Sequence, residues 1–410
     1  MIDLNFIREN PDLVKQGVKS KGYEPQLVDR VLKIDDTRRQ LIKEVERWRQ
    51  ARNQLKPGEV EKGKRIKEML RRLEPDLKAV AEELKMVLAE IPNLPAEKVP
   101  RGASAKDNVE IKRWGKIPKF NFKPRDHLEL GKQLGILDFE AGAKVAGSGF
   151  YFWLNEGALL ELALTQYAFD LLIKEGFTPV ITPDLARSRY YLGTGYLPQG
   201  PERQTYEIKD QDLGLIATAE VTLAGKHADE TIPIEKLPLK YVGYSHCFRQ
   251  EAGAYGKDAK GLYRVHQFSK IEMFVYCLPE ESERWHEKVL AWEEKIYQGL
   301  EIPYRVVEMC TADLGAMASR KYDLEAWMPG RGDYGEVTST SNCTDYQARN
   351  LNIKYRRQAE TGFVHLINGT AIATARTALA ILENYQQKDG SVLIPKVLQP
   401  YVGQEKITLR

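Results

Sequence analysis

Two charged pairs in the middle of the chain flank a glycine-containing segment and could together bind an anionic ligand. Arg249 and Glu251 end one run of β-branched and aromatic residues, and Lys270 and Glu272 lie in a second. Such runs predict strands joined by a long hairpin loop, and Arg249, Glu251 and Glu272 would share a face if the strands pair in register. An arginine fork beside carboxylates can hold a phosphate and a carboxylate, while the acids bind amines and hydroxyls. The pattern indicates a site for a nucleotide and an amino acid, with a half-solvated hairpin as the alternative.

The composition of the 410 residues is that of a soluble protein with two or three domains. The chain begins without a signal-peptide pattern, and no run reaches the roughly 20 apolar residues that cross a bilayer. The four cysteines are far apart and form no CxxC pair. We therefore expect a cytoplasmic protein with reduced thiols, no membrane association and no zinc site.

Apolar residues at alternating spacings of four and three predict two long helices near the N-terminus. They follow short predicted helices capped by Asp3 and Asn10. The turn Lys56-Pro57-Gly58 separates the long helices, and Pro75 is expected to bend the second without breaking it. Heptad seams joined by a short turn can bury each other, so residues 27–91 should form an antiparallel coiled-coil arm. The seam residues are Leu27, Val31, Ile34, Leu41, Val45, Trp48, Leu55, Ile66, Leu70, Leu73, Leu77, Val80, Leu84, Val87 and Ile91.

Charge is unevenly distributed along this arm. Residues 38–72 include 13 Lys or Arg and 5 Asp or Glu, whereas residues 73–91 include 2 and 5. A coiled coil can be a spacer or a dimerisation element. The basic distal half instead favours an electrostatic grip on a phosphate backbone, which depends on shape more than on base sequence.

The rest of the chain predicts an α+β domain with a mostly antiparallel β-sheet flanked by helices. Residues 101–125, rich in Pro, Lys and Gly, predict a linker after an N-terminal domain of residues 1–100. Within residues 126–410, predicted strands are separated mostly by hairpins, and a helix is predicted over residues 369–384.

Several motifs in this domain resemble those of class II aminoacyl-tRNA synthetases. Phe248-Arg249-Gln250-Glu251 is similar to the FRxE core of motif 2, and the run ending GLYRVHQFSKIEMF is similar to that of seryl-tRNA synthetases in particular. The helix at 157–175 and the strand at 177–182 resemble motif 1, the dimer interface, although alone they could be core elements. Residues 369–376 resemble motif 3. The resemblance extends over nearly the whole chain and implies a homodimer with a tRNA-binding arm.

The resemblance implies that ATP binds along these motifs. Arg249 would bridge the amino acid carboxylate and the ATP α-phosphate. Phe268 and Arg376 would enclose the adenine ring, and Glu251 would accept a hydrogen bond from the adenine amino group. Arg376 would also contact the γ-phosphate, so Arg249 and Arg376 are the implied catalytic residues. The residues implied at the nucleotide are Arg249, Gln250, Glu251, Val265, Phe268, Glu336, Val337, Thr338, Ser339 and Arg376.

Two further groups are implied at the phosphates. Glu336 and Ser339 would ligate Mg²⁺, which needs few protein oxygens, or else form a polar strand end. The loop residues Lys257, Lys260 and Arg264 would meet the pyrophosphate or the tRNA acceptor end, or remain solvated.

The resemblance implies L-serine as the amino acid. Thr218-Ala219-Glu220 resembles the TxE loop for its ammonium group, although this run alone could be a helix cap. Glu272 and Thr370, with Asn368, resemble the pocket for its hydroxyl. A carboxylate that accepts this hydroxyl disfavours alanine, whereas threonine differs by one methyl, worth roughly 1 to 3 kcal/mol. Thr370 stands where relatives commonly have serine.

The implied reaction forms seryl-adenylate from serine and ATP and passes serine to tRNA(Ser), and to tRNA(Sec) where that tRNA exists. The attacking carboxylate is already ionised, so alignment and charge neutralisation should suffice without a catalytic base. One alternative is an amino acid ligase that loads a carrier protein, but relatives of that kind lack the arm. The other is a catalytically inactive binding protein, which the intact Arg249, Glu251, Glu336 and Arg376 disfavour.

Overall fold

The computed structural model describes residues 1–196, 205–251 and 261–409. The chain forms two compact units, Met1–Leu94 and Pro95–Arg410. The first unit therefore ends at Leu94, whereas the sequence predicts its end at residue 100.

The N-terminal unit is helical, as predicted. The side chain of Asp3 accepts hydrogen bonds from the backbone N–H groups of Asn5 and Phe6 and caps the first helix. Asn10 precedes the second helix without a side-chain cap, and Pro11 occupies its first position. The helices of this unit are α1 (Leu4–Glu9), α2 (Pro11–Ser20), α3 (Gln26–Asn53) and α4 (Val60–Glu90).

Helices α3 and α4 pack along each other as a hairpin whose interior contains two separate apolar clusters. The distal cluster is built around Val45, Ile66, Leu70 and Leu73. Helix α4 continues through Pro75, so this proline does not break it. The basal cluster joins the lower parts of both helices to α1 and α2 through Ile7, Val14, Val18, Val28, Val31, Ile34, Leu84, Val87, Leu88 and Ile91.

The cations of the distal half of the arm face solvent. Between residues 38 and 72, every Lys and Arg is exposed except Arg38, which pairs with the buried Asp35 at 2.9 Å. Those that form no ion pair within the described part of the chain are Arg39, Lys43, Arg47, Arg52, Lys56, Arg65, Lys67, Arg71 and Arg72.

The C-terminal unit combines helices with several sheets. Its helices are α5 (His127–Gln133), α6 (Phe139–Ala146), α7 (Asn155–Lys174), α8 (Ser188–Thr194), α9 (Glu220–Gly225), α10 (Ser282–Gly299), α11 (Tyr346–Leu351), α12 (Thr374–Asn384) and α13 (Gln399–Val402). Its strands are β1 (Val109–Trp114), β2 (Leu137–Asp138), β3 (Phe152–Trp153), β4 (Thr178–Ile181), β5 (Leu185–Ala186), β6 (Tyr206–Glu207), β7 (Gly214–Leu215), β8 (Thr231–Pro233), β9 (Leu239–Phe248), β10 (Gln267–Cys277), β11 (Tyr304–Glu308), β12 (Arg320–Met328), β13 (Asp333–Asn342), β14 (Lys354–Arg357), β15 (Glu360–Phe363), β16 (His365–Ala373), β17 (Val392–Leu393) and β18 (Lys406–Ile407).

An eight-stranded sheet organises this unit. Its strand order is β1-β11-β12-β13-β16-β10-β9-β4. Neighbouring strands are antiparallel except β4 and β9, which are parallel. The predicted mostly antiparallel α+β domain is therefore confirmed.

Strand β1 corrects the linker predicted at residues 101–125. Residues Val109–Trp114 pair with β11 and form one edge of the large sheet. The side chains of β1 are mostly exposed, so the strand lacks the buried apolar pattern that would have separated it from its Pro- and Lys-rich surroundings.

Successive residues of β10 point to opposite faces of the sheet, and the two faces have different roles. Ile271, Met273 and Val275 are buried in the main core with side chains of α7, α10 and α12. Lys270 and Glu272 point to the other face. The alternation therefore divides β10 into a structural face and a polar face.

Helix α12 begins at Thr374, later than the sequence predicts. The preceding small residues extend β16 instead, because they pair with β10 and, at Gly369, with β13. The motif 3 segment is thus a strand followed by a helix.

None of the helices within the described ranges combines the length and apolarity needed to cross a bilayer. The four cysteines are buried and unbridged in the described structure.

Candidate active site

A cavity of about 560 Å³ lies over strands β10, β13 and β16. Volumes of this order hold small organic ligands. The predicted site residues in its wall are Glu220, Arg249, Glu251, Val265, Phe268, Glu272, Glu336, Val337, Thr338, Ser339, Asn368, Thr370 and Arg376. Most of the predicted site is therefore assembled in one place.

Three predicted residues lie outside this wall. Thr218 and Ala219 are buried, and the Thr218 hydroxyl accepts a hydrogen bond from the backbone N–H of Glu220 at 3.3 Å. Gln250 also lies outside the wall: its side-chain amide donates to the carbonyl oxygen of Thr205 at 2.9 Å, and the residue borders a second cavity.

Glu220 is a buried acid at the start of α9. Its Oε1 accepts hydrogen bonds from the amides of Gln347 at 2.6 Å and Asn368 at 2.9 Å. Its Oε2 accepts from the hydroxyl of Tyr196 at 3.1 Å. Burial, with a further contribution from the negative charge of Glu272, raises the pKa of Glu220 to about 7. This carboxyl group therefore changes its charge near neutral pH.

Glu272 forms a buried cluster with Lys270 and Thr370. The Lys270 Nζ lies 2.6 Å from Glu272 Oε2, and the Thr370 hydroxyl donates to the same oxygen at 3.3 Å. A bulge at Ala371 of β16 places Thr370 directly opposite Glu272. The predicted pairing of Glu272 with Thr370 is thus present, together with a lysine that the resemblance does not assign.

Arg249 follows β9 and is fixed through its backbone. Its N–H donates to the carbonyl oxygen of His266 at 3.0 Å, and its carbonyl oxygen accepts from the Nδ1 of His266 at 2.8 Å. The guanidinium carbon lies 5.4 Å from the centre of the Phe268 ring, and Nε lies 3.4 Å from the carbonyl oxygen of Ala217. Arg249 is therefore held beside the loop that leads to Glu220.

Glu251 does not continue the strand, contrary to the sequence prediction. Strand β9 ends at Phe248, and Glu251 adopts a left-handed backbone conformation with φ of 49°. Its carboxylate pairs with Arg264 at 2.5 Å. A turn, not strand alternation, brings Glu251 to the cavity. The other predicted basic loop residues, Lys257 and Lys260, lie outside the described residues.

Arg376, near the start of α12, also lies in the cavity wall. Its guanidinium carbon is 4.7 Å from the centre of the Tyr263 ring, and its Nε donates to the carbonyl oxygen of Tyr263 at 3.0 Å. Its Nη1 lies 3.0 Å from Oε2 of Glu336. The planar face of Arg376 is thus fixed against an aromatic ring.

Glu336 and Ser339 share one face of β13 although they are three residues apart. A bulge in β13 opposite β12 shifts the alternation and makes this possible. Burial favours a higher pKa for Glu336, but the positive charges of Arg376, Lys321 and Arg249 outweigh it and lower the pKa to about 2. The carboxylate is therefore ionised at neutral pH.

An ionised carboxylate and a hydroxyl on one wall suit a hard divalent cation that keeps most of its water ligands. Glu336 and Ser339 therefore fit the predicted magnesium site. Within the described ranges, no group of three or more His, Cys, Asp or Glu side chains is positioned to hold a metal ion.

Several cavity residues are not assigned by the sequence analysis. They include Tyr196, Tyr263, Lys270, Lys321 and Met317. Lys270 had a local signal, since it precedes Glu272 by two positions on a strand and must share its face. Tyr196 and Lys321 come from distant segments, and nothing in their local sequence places them at the cavity.

The two parts of the cavity differ in chemistry, and Arg249 acts on both. Glu220 and Glu272 offer acceptors for an ammonium group and a hydroxyl, whereas Arg376 can bind an anion and a flat ring. Burial raises the pKa of Tyr196, and the positive charge of Arg249 partly opposes this effect. The same charge contributes, after those of Arg376 and Lys321, to the lowered pKa of Glu336. The geometry suits a reaction that joins two anionic groups.

Comparison with known proteins agrees with this geometry. The family described as "tRNA synthetase class II core domain (G, H, P, S and T)" matches residues 205–385, and the "Seryl-tRNA synthetase N-terminal domain" matches residues 1–95. The serine–tRNA ligase of Dictyoglomus thermophilum is 54% identical over 99% of both chains. That of Rubrobacter xylanophilus is 52% identical over 99% of both chains.

Solved structures give the same result. The seryl-tRNA synthetase of Pyrococcus horikoshii, complexed with ATP, is 43% identical over the full length of both chains with a TM-score of 0.94. The cytoplasmic serine–tRNA ligase of Naegleria fowleri, in complex with AMP, is 35% identical with a TM-score of 0.89, over 100% of this chain and 99% of that chain. These matches cover both compact units and confirm the resemblance inferred from the motifs. The chain therefore belongs to the seryl-tRNA synthetase family.

Proposed function

We propose that this enzyme activates L-serine with ATP, forming seryl-adenylate and pyrophosphate, and then transfers serine to the terminal ribose of tRNA(Ser). The observation that carries this proposal is the position of Arg249 in the cavity wall, beside the loop leading to Glu220 and 5.4 Å from the centre of the Phe268 ring. Its guanidinium can bind the serine carboxylate and the ATP α-phosphate together and so align the attack.

Serine binds at the acidic part of the cavity. Glu220 accepts hydrogen bonds from the ammonium group, with Thr218 and Ala219 shaping the loop beneath it. Glu272 and Thr370 take the hydroxyl, as their 3.3 Å hydrogen bond places both on one wall. Asn368, which donates to Glu220, orients that acid.

ATP binds along the other part. The adenine ring lies between Phe268 and Arg376, and Glu251 accepts a hydrogen bond from the adenine amino group. The backbone beside Gln250 and Val265 borders the base. Glu336, Val337, Thr338 and Ser339 line the phosphates.

Glu336 and Ser339 would hold Mg²⁺, which when bound neutralises charge on the phosphates. The protein groups orient both reactants and exclude water from the line of attack. Because the serine carboxylate is ionised at neutral pH, the attack requires no protein base.

ATP–pyrophosphate exchange with a panel of amino acids tests this function. We expect exchange to depend on L-serine. Alanine, which lacks the hydroxyl, and threonine, which adds a methyl, should each have a kcat/KM at least tenfold lower. Exchange that no addition of serine stimulates would refute the proposal.

The raised pKa of Glu220 predicts a pH-dependent affinity for serine. Only ionised Glu220 can pair with the ammonium group, so the KM for serine should fall about tenfold between pH 6 and pH 8, through the pKa of about 7. The stability of the fold should depend on pH in the opposite direction. Because burial favours protonated Glu220, the contribution of this group to the free energy of unfolding is present below pH 4.5 and is lost as the pH rises through 7. Glu220→Gln should raise the KM and remove its pH dependence. A steep pH profile in this variant would assign the titration to another group.

We propose that the arm binds the serine tRNA, and tRNA(Sec) in a cell that contains it. Exposed cations on its distal half, nine of them without an ion pair in the described structure, support a grip on the phosphate backbone. We propose that this activity is cytoplasmic, which the tRNA substrate and the four cysteines, unbridged in the described structure, support.

We further propose a homodimer formed through the motif 1 elements. Strand β4 lies at the edge of the large sheet, and Ile181 on it and Leu162 on α7 are 80% and 65% exposed. Exposed aliphatic side chains beside a strand edge are typical of an interface. The double variant Leu162→Asp/Ile181→Asp should sediment as a monomer. Met86→Asp, at a comparably exposed apolar position in the N-terminal unit, should remain dimeric. A monomeric wild type would contradict this proposal.

A further inference from the structure

Lys270 is a buried cation inside the proposed serine pocket. Its side chain is 7% exposed and that of Glu272 is 2% exposed, and their charged atoms are 2.6 Å apart. Its Nζ also lies 3.4 Å from the hydroxyl of Thr370. Lys270, Glu272 and Thr370 therefore form one hydrogen-bonded cluster at the point where the serine hydroxyl is expected.

The charge balance of the pocket gives this lysine a consequence. Glu220 and Glu272 are two carboxylates whose charges interact through the pocket. Serine supplies one cation, its ammonium group, which can neutralise only one of them. A pocket with two unpaired carboxylates would fit an amino acid with a second ammonium group on its side chain better than one with a neutral hydroxyl.

The two carboxylate oxygens of Glu272 have different surroundings. Lys270 and Thr370 both contact Oε2. In the described part of the chain, nothing donates to Oε1, and Glu272 borders the cavity. One carboxylate oxygen is thus occupied by an internal cation, and the other can accept a hydrogen bond from a hydroxyl.

We propose that Lys270 determines specificity by supplying the second positive charge of the pocket. It pairs with Glu272, so this acid accepts from the neutral serine hydroxyl and the pocket rejects L-2,3-diaminopropionate, the serine analogue with an ammonium group in place of the hydroxyl. This inference rests on the proposed serine site and adds a residue that discriminates by charge.

One further acid, Glu293, interacts with Glu272 and bears on this balance. Glu293 of α10 is fully buried behind the sheet, where its Oε2 accepts from the Thr338 hydroxyl at 3.1 Å. Burial, together with the neighbouring Glu272, raises the pKa of Glu293 well above its ordinary value. Burial therefore disfavours a negative charge on Glu293 that Lys270 would have to neutralise.

The test compares serine and diaminopropionate as substrates in pyrophosphate exchange near neutral pH. In Lys270→Met, which keeps the length of the side chain and removes its charge, the ratio of kcat/KM for diaminopropionate to that for serine should rise at least about 100-fold, since an unpaired buried charge is costly. Lys270→Arg should keep the preference for serine. Lys321→Met is the matched control, because Lys321 is another cavity lysine, paired with Asp323 at 3.2 Å. It should change both activities by the same factor.

The double variant Lys270→Met/Glu272→Gln buries no unpaired charge and serves if Lys270→Met does not fold. The double variant should retain more serine activity than Lys270→Met and show no gain with diaminopropionate. If Lys270→Met is unfolded, the double variant should still have measurable serine activity. An unchanged substrate ratio in Lys270→Met, or a gain with diaminopropionate in the absence of Glu272, would overturn the proposal. A wild type without serine-dependent exchange would instead refute the proposed function itself.

Discussion

Replacing Arg249 by alanine should lower serine-dependent pyrophosphate exchange about a thousandfold, measured as kcat/KM for ATP and for serine. Arg249 is proposed to neutralise the serine carboxylate and the α-phosphate together, so alanine leaves two like charges to approach unassisted. Loss of one preorganised donor costs about 10² to 10³ in rate, and loss of an arginine at a transferring phosphoryl group about 10³ to 10⁵. The expected loss lies where these ranges meet.

Two variants separate this role from a general effect on the protein. Arg249→Lys keeps the charge but loses the planar fork, so it should recover only about tenfold of the lost activity. Arg189→Ala removes an exposed arginine that is not part of the cavity wall and that pairs with Asp229 at 2.6 Å. Its exchange activity should stay within about twofold of wild type. The fold should survive the loss of Arg249, because the backbone contacts to His266 do not need its side chain. Exchange by Arg249→Ala within tenfold of the wild-type rate would contradict the proposed alignment.

The residues around Arg249 illustrate what local sequence can predict. Spacing along one strand is dictated by the pleat, so Lys270 and Glu272 were certain to share a face if β10 formed. The neighbouring pair, Arg249 and Glu251, obeys no such rule, because β9 ends before them and Glu251 turns into the left-handed region. Glu272 and Glu251 both reach the cavity, the first through strand alternation and the second through a turn.

Bulges mark another boundary of prediction. Glu272 lies opposite Thr370 on the neighbouring strand, and Glu336 shares a face of β13 with Ser339. Each arrangement depends on one extra residue in a strand. A bulge is set by the packing of two strands and has no reliable local signature. The resemblance to a family supplied these pairs, whereas periodicity alone would have placed Glu336 and Ser339 on opposite faces.

The arm was predictable for a different reason. Its seams repeat over many turns, and long periodic patterns are the strongest sequence signal. By contrast, β1 is short and exposed, so its pairing with β11 depends on a partner almost two hundred residues away along the chain. Tyr196 and Gln347 reach Glu220 from 24 and 127 residues away along the chain and carry no local sign of it.

Removing the distal half of the arm should abolish charging of tRNA while pyrophosphate exchange stays within about twofold of wild type. A deletion of residues 38–72, closed by a short turn, removes most of the distal apolar cluster and leaves the basal cluster intact, so the N-terminal helices should remain folded. The deletion removes nine unpaired cations. Since proteins that make six to ten phosphate contacts depend on them for about 10³ to 10⁵ in affinity across a modest salt range, kcat/KM for tRNA should fall at least about a thousandfold. Loss of exchange as well would show that the arm is required for adenylate formation.

A full-length variant distinguishes charge from shape. Arg47→Gln/Arg65→Gln/Arg72→Gln keeps the coiled coil and removes three exposed cations that have no ion pair in the described structure. If each contacts a phosphate, the slope of log Kd for tRNA against log salt should become about three units shallower. The matched control, Lys33→Gln/Lys78→Gln/Lys85→Gln, removes three exposed lysines nearer the base and should leave the slope unchanged. Equal slopes in the two variants would contradict a grip centred on the distal half, because both remove the same charge and differ only in its position.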